Sequence, residues 1–335
     1  MSFQPDRRWA ATGLFVLTLF ALPLFLSTDF RVSVVIGGFF YAILASSWAL
    51  LGGLAGQFSF AHMALMGFAA YVSALLGRDL AVAPWLGILV GTVASGLLGL
   101  IIGTLCLRLR AAYLALFTIA FSEILRIILL TEFRYTEGDN GVQMASLYPG
   151  IGVNAEYYVM LVLLLASMAL MYGLVASRFG LFIRAMREDE EAAAAMGVNV
   201  VRYKVLVFTI TSMVVGLAGG VYYHQVGIIT PNTMNLLEMA LVIAYAVIGG
   251  IESLLGAALG AFLSRISLQM LVQIDLFGWH FEPGAWRFAA FGLLLLFTLR
   301  FSQNGLLYPL LNRFFARHRK EETVAQRNRP PEVPS

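Results

Sequence analysis

Few residues in this chain have the types and spacing needed for chemistry. Glu123 and Arg126 stand three apart in an apolar stretch, so on a helix they share a face and can pair. In a low-dielectric setting such a pair either braces neighbouring helices or lines a polar path, and a carboxylate there can also carry a proton. Gln57, Ser59 and His62 form a second polar group directly after a cluster of glycines. They either line a path or gate, or are structural, with Ser59 capping a helix and His62 a neutral core histidine bonded to a carbonyl. A third feature is the run REDEE at 187–191, five charges in succession in a chain that is only 12% charged.

Other chemistries are excluded. No arrangement of Ser, His and Asp suggests a nucleophile, and no His/Asp/Glu cluster has metal-ligand spacing, so neither a catalytic nor a metal site is expected. The single cysteine, Cys106, cannot form a disulfide or a cysteine metal site within one chain. The only lysines are Lys204, followed by Val, and Lys320, followed by Glu, so there is no phosphate loop ending in G-K-[ST]. Energy from ATP would have to come from a partner.

The elements that position these residues follow from hydropathy. The chain is 60% hydrophobic with a mean hydropathy of +0.82. Runs at 9–28, 32–77, 80–107, 157–177 and 205–237 contain no Asp, Glu, Lys or Arg. A bilayer core needs roughly 20 apolar residues per helix, and every backbone amide in it must be paired. A barrel would alternate in segments of about ten residues instead. The expectation is an all-α polytopic membrane protein with about ten spans: 9–27, 32–51, 60–77, 82–105, 111–130, 157–176, 204–225, 238–250, 254–274 and 285–300. The eighth is short and the ninth carries Arg265. The run at 32–77 is too long for one helix and should break near 52–59, where glycines cluster.

The first span reads as a retained helix, because no small-x-small cleavage site follows Arg7 and Arg8. Residues 1–310 form one membrane domain with its main loop at 177–204, and the polar 311–335 tail is expected to be disordered. The net charge of +3 does not point to nucleic acid, because membrane proteins use basic residues for topology. With both ends in the cytoplasm, ten spans place all basic residues there except Arg31, Arg78, Arg126, Arg134, Arg265 and Arg287. The loop at 131–156 has four carboxylates against the lone Arg134 and falls outside. Double-glycine phrases at 51–66 and 248–263 look loosely alike and lie on one side in this topology. His224 and His280 fall near helix ends and are expected at the interface.

The charged run then lies in the largest cytoplasmic loop. Glu188, Asp189, Glu190 and Glu191 suit the positive end of a short helix, four alanines continue it, and Gly197 suits its end. The preceding GLFIRAMR at 180–187 reads as a segment lying on the membrane surface. An alanine-rich face admits another backbone closely and suits docking; a solvated connecting loop is the alternative.

Glu191-Ala192-Ala193, with Gly197 three residues on, spells E-A-A-x-x-x-G. This resembles the coupling motif of prokaryotic ABC importer permeases, without the I-x-L-P ending of its longer form. The stretch 177–223 resembles the same loop and helix of branched-chain amino-acid permeases of LivM type. GLAGQFSFAH at 53–62 with GFAAY at 67–71 is similar to that family's G-x-x-G-Q-x-S-x-G-H…G-x-G-A-Y, with Ala61 and Ala69 where glycines are usual. RLRAAYLALFTIAFSEILR at 108–126 and TEGDNG at 136–141 are similar to its R-G-x-Y-F-A…E-I-x-R…T-G-G-x-N-G.

The resemblance covers roughly 30 to 310. It implies a permease subunit of an ABC importer in the bacterial inner membrane, for branched-chain amino acids or a related small polar solute. It also implies two ATP-binding subunits that bind ATP and Mg, a homologous second permease, and a periplasmic solute-binding protein. Arg184, Glu188, Glu191, Ala192, Ala193 and Gly197 would couple to the ATPase. Gln57, Ser59, His62, Glu123 and Asn140 would line the path or gate. A stand-alone secondary transporter driven by an ion gradient, with Glu123 as proton carrier, is the rival.

Overall fold

Five small residues set the packing of this bundle. Gly87, Gly91, Ser95, Gly99 and Gly103 recur every fourth position of one helix, Pro84–Leu105. Without a hydrophobic driving force between helices in lipid, such a stripe lets backbones meet. A side chain at Gly91 would overlap the Ala69 carbonyl, and one at Gly99 would overlap the Ser212 hydroxyl. Ser95 joins both neighbours, donating within 3.1 Å of the Leu65 carbonyl and 2.9 Å of that of Ser212.

The computed structural model describes residues 18–25, 28–105, 111–150, 152–271, and positions 292, 293 and 296. Its main helices are α1 (Asp29–Trp48), α2 (His62–Leu80), α3 (Pro84–Leu105), α4 (Ala111–Thr131), α5 (Val153–Ala176), α6 (Arg178–Glu188), α7 (Glu190–Ala195), α8 (Val200–Val226), α9 (Leu236–Gly249) and α10 (Leu254–Leu271). Two short strands, β1 (Val142–Gln143) and β2 (Ile228–Ile229), pair antiparallel with Val142 opposite Ile229.

Among the described residues six helices are long and apolar enough to cross a membrane, and α9 with α10 make a seventh candidate, bent by 119°. The all-α polytopic expectation holds. The first expected span is described only over 18–25. Span 285–300 is described only at 292, 293 and 296. Cys106, Arg108, Arg110, His280 and the 311–335 tail lie outside the described residues.

Two expected spans, 238–250 and 254–274, take a different form. Helix α9 has 14 residues, about 21 Å of helix, which falls short of a bilayer core of about 30 Å. A Gly249 side chain would overlap Gly256, and one at Gly260 would meet Gly249 and the Tyr245 carbonyl. Glycine on both arms closes the V.

Helix α1 runs through the middle of the bundle, its apolar stretch wholly buried. Its last turns widen to a π-helix over Ala49–Leu54. The Ala55 amide bonds Leu50 and the Gln57 amide bonds Leu51. The chain is then irregular until His62.

Candidate functional site

The loops sort to two ends of the bundle. At one end lie the segment after Leu54, the elbow α6–α7, and the turn between α9 and α10. A side chain on Gly53 would overlap the Ile251 carbonyl, so the two double-glycine phrases meet each other. Gly56, at φ +70°, packs on the Arg187 side chain. At the other end β1 pairs with β2, Arg78 pairs with Glu137 at 3.4 Å, and Asn232 donates to Asp139 at 2.9 Å.

The elbow is built by local caps. The Ser177 hydroxyl accepts from the Phe179 amide and starts α6. Asp189 accepts from the amides of Glu191 and Ala192 at 2.9 and 3.0 Å, so the carboxylates divide: Glu188 ends α6 and Asp189 caps α7. Gly197 follows at φ +87°, a backbone state that costs other residues, and Asn199 caps α8 through the Arg202 amide. Arg184, Glu188, Glu191, Ala192 and Gly197 are exposed. Ala193 is buried in its own chain, so the open alanine face consists of Ala192, Ala194 and Ala195, with Met196 beyond it, 86% exposed.

Three contacts fasten this elbow to the two helix breaks. Arg187 pairs with Glu252 at 2.5 Å, in the turn between α9 and α10. Gln57 donates to the Lys204 carbonyl at 3.2 Å, and Lys204 itself pairs with Glu190. Arg187 also covers Gly56. The pairing of Arg187 with Glu252 has no signal in the sequence, because the two lie 65 positions apart.

Gln57, Ser59 and His62 are all buried. The Ser59 hydroxyl accepts from the Ala61 amide at 3.1 Å, a turn just ahead of α2 rather than a cap on it. The Ser59 carbonyl accepts from Trp48 Nε1 at 2.8 Å. Helix α4 satisfies the rest of the break: Thr118 accepts from the Phe60 amide at 3.0 Å, and Ser122 donates to the Phe60 carbonyl at 3.2 Å. Neither His62 ring nitrogen makes a well-formed hydrogen bond among the described residues; the Ser47 carbonyl is within its reach. Irregular backbone at membrane depth requires such protein partners.

Arg126 Nε donates to both Glu123 oxygens at 3.1 Å, and an Nη joins one of them at 2.5 Å. Arg126 also reaches Asn232 at 3.5 Å. Glu123 is 42% exposed and Arg126 20%, and Glu123 is eight residues from the end of α4, about 12 Å along the axis. The pair forms as expected, in the half of the helix toward Thr131. Asn140 lies exposed in the loop at that same end, away from Gln57, Ser59 and His62. His224 is buried rather than interfacial, with Nδ1 2.7 Å from the Ala145 carbonyl and Nε2 2.8 Å from Ser73. A carbonyl only accepts, so Nδ1 carries the proton and Nε2 accepts from the serine.

A second charged group was not anticipated as a site. Glu238, near the start of α9, accepts the Tyr41 hydroxyl at 2.8 Å, and the Arg265 guanidinium lies over the Tyr41 ring at 4.5 Å. The only signals in the sequence are a carboxylate ending one apolar run and an arginine inside another. No group of His, Cys, Asp and Glu among the described residues has the arrangement to hold a metal.

Residues 30–299 match the model of the branched-chain amino acid transport system / permease component family. The chain is 28% identical over 259 residues to the high-affinity branched-chain amino acid transport system permease protein LivM of Salmonella typhimurium, covering 69% of this chain and 61% of that one. It is 28% identical over 256 residues to the corresponding LivH of Escherichia coli, covering 68% and 80%. Against the autoinducer 2 import system permease protein LsrC of Klebsiella pneumoniae it is 34% identical over 178 residues, covering 51% and 46%. The chain thus spans about three-fifths of the LivM relatives it matches. No solved structure matches it.

Proposed function

The chain belongs to the family of permease components of branched-chain amino acid transport systems, and from that premise we propose that it is the membrane subunit of an ATP-driven importer. Its cargo is a branched-chain amino acid or a related small polar solute such as an amide, urea or another amino acid. It lies in the bacterial inner membrane with both ends in the cytoplasm, an orientation supported by the distribution of basic residues. Two ATP-binding subunits hold the ATP and Mg and dock on the elbow. A homologous second permease completes the path, and relatives named both LivM and LivH support that pairing. A periplasmic solute-binding protein delivers cargo at the opposite end.

The observation that carries this reading is the fastening of the elbow to both helix breaks. When the nucleotide-binding subunits close, α6 and α7 move with them. Arg187 then pulls the turn at Glu252, and Lys204 pulls the segment at Gln57. Both breaks are irregular backbone at the elbow's end of the bundle, so small displacements there re-aim α2, α9 and α10 and open the path toward the cytoplasm.

The rival, an ion-driven carrier using Glu123, is disfavoured by the same geometry, because both oxygens of that carboxylate already accept from Arg126. Docking is tested with Met196→Asp, which changes a side chain that is almost wholly exposed. The variant should reach the membrane and lose co-purification with the ATPase subunits. The fastening is tested with Arg187→Glu, which should retain the ATPase but cut ATP-driven uptake about tenfold, with Glu252→Arg restoring much of it. Normal assembly and uptake in Met196→Asp, or full uptake in Arg187→Glu, would refute the coupling role.

A further inference from the structure

Among the described residues Arg265 has no hydrogen-bonded acceptor. Its guanidinium lies over the face of Tyr41, 4.5 Å from the ring centre, and it feels Glu238 only through space. Arginine keeps its charge throughout the cellular pH range and offers five N–H donors in one plane. An ionisable group at membrane depth with no hydrogen-bonded partner marks a functional site.

A carboxylate stands close by, but Tyr41 holds it apart. Glu238 accepts the Tyr41 hydroxyl at 2.8 Å through one oxygen, and its other oxygen has no hydrogen-bond partner among the described residues. The cation lies on the ring face and the anion beyond the hydroxyl, and the two charges make no direct ion pair. Glu238 and Arg265 are partly open, whereas Tyr41 and the Tyr245 ring edge-on to it are buried. Tyr41 is thus a fixed spacer between two receptive charges of opposite sign.

We propose that Arg265 and Glu238 form a substrate site for an α-amino acid held as its zwitterion, with its carboxylate on Arg265 and its ammonium on Glu238. An α-amino acid carries both charges on one carbon. With one hydrogen bond at each end it bridges two receiving groups that do not touch each other, which is how Tyr41 holds Arg265 and Glu238. Planar, bidentate capture of a carboxylate is what a guanidinium does best. The inference rests on the importer reading and narrows its cargo from the wider set of small polar solutes to α-amino acids. Amides and esters, lacking the carboxylate, leave Arg265 unpaired and are rejected; N-acylated amino acids leave Glu238 without its cation.

The test uses the assembled complex in lipid nanodiscs without the solute-binding protein, with radiolabelled L-leucine as probe. L-leucinamide and N-acetyl-L-leucine serve as competitors. Wild type should bind L-leucine saturably, and each competitor should be at least tenfold weaker than unlabelled L-leucine. Arg265→Gln should weaken L-leucine binding tenfold or more and narrow the gap between leucine and leucinamide. Arg265→Lys keeps the charge, covers a folding failure of the glutamine variant, and should show the same narrowing in part. Glu238→Gln should narrow the gap between leucine and N-acetyl-leucine instead.

Unchanged leucine affinity in these folded variants, equal competition by leucinamide, or no leucine binding by wild type would each overturn the site. ATP-driven leucine uptake with the binding protein restored separates the two ideas. Uptake that follows ATP beside unaltered variant binding overturns the site and leaves the importer standing. Leucine uptake that ignores ATP overturns the importer reading, whatever the variants bind.

Discussion

Arg126 and Arg265 are the same residue in apolar helices of one bundle, yet their surroundings are opposite. Arg126 is closed: Glu123 takes three of its contacts and Asn232 a fourth. Arg265 has an aromatic face beneath it, and the nearby carboxylate is bonded to the tyrosine instead. A closed arginine holds helices together. An open one is a cost the fold retains for another purpose, and stability and activity should therefore respond in opposite directions at the two positions.

The largest effect is expected at Arg265. Arg265→Met removes a charge that has no hydrogen-bonded acceptor among the described residues and keeps the volume, so the purified protein should unfold at the same temperature or higher, by a gain of about 1–3 kcal/mol. Uptake should fall on the order of a hundredfold. Thermal unfolding followed by size-exclusion fluorescence, beside uptake in vesicles, reads both. If Arg265→Met destabilises the fold, the arginine is structural and the contrast with Arg126 disappears.

A smaller effect of the other sign is expected at Glu123. A deeply buried pair that loses one member costs about 3–5 kcal/mol, and the sequence alone suggested that setting. The observed pair is partly exposed, so Glu123→Gln should cost only about 1 kcal/mol. The double variant Glu123→Gln with Arg126→Gln should recover much of it, with uptake per folded complex still dependent on ATP and indifferent to a protonophore. Abolished accumulation in a well-folded Glu123→Gln variant would instead favour the proton carrier.

The same contrast explains what could be read in advance. The spans were legible because unbroken apolar runs leave a helix in lipid as the one way to pair the backbone. The elbow was legible because capping is local: Asp189 and Gly197 act within three or four residues. Glu123 and Arg126 were legible for the same reason, three apart on one helix. The Arg265 group was not, because Tyr41 and Glu238 are 197 positions apart and no periodicity links them. The bend of α9 on α10 was likewise hidden. It depends on Gly249 meeting Gly256 and Gly260 across a turn, while the composition of each arm reads as an ordinary span. The inward turn of Ala193 was hidden too, because four successive alanines look alike until their neighbours are placed.

The smallest expected effect tests whether the closed site extends beyond its ion pair. Asn232 lies in the segment leading to α9 and links two elements, accepting from Arg126 at 3.5 Å and donating to Asp139 at 2.9 Å. The first contact is long, and the second is an exposed bond to a carboxylate. Asn232→Ala should therefore cost no more than about 0.5 kcal/mol. Combined with Glu123→Gln it should cost less than the two separate losses together, because the same guanidinium joins both contacts. A double-variant cycle read by thermal unfolding decides this. Strict additivity would mean that the outer loop and α4 are held independently, and that the closed site ends at its ion pair.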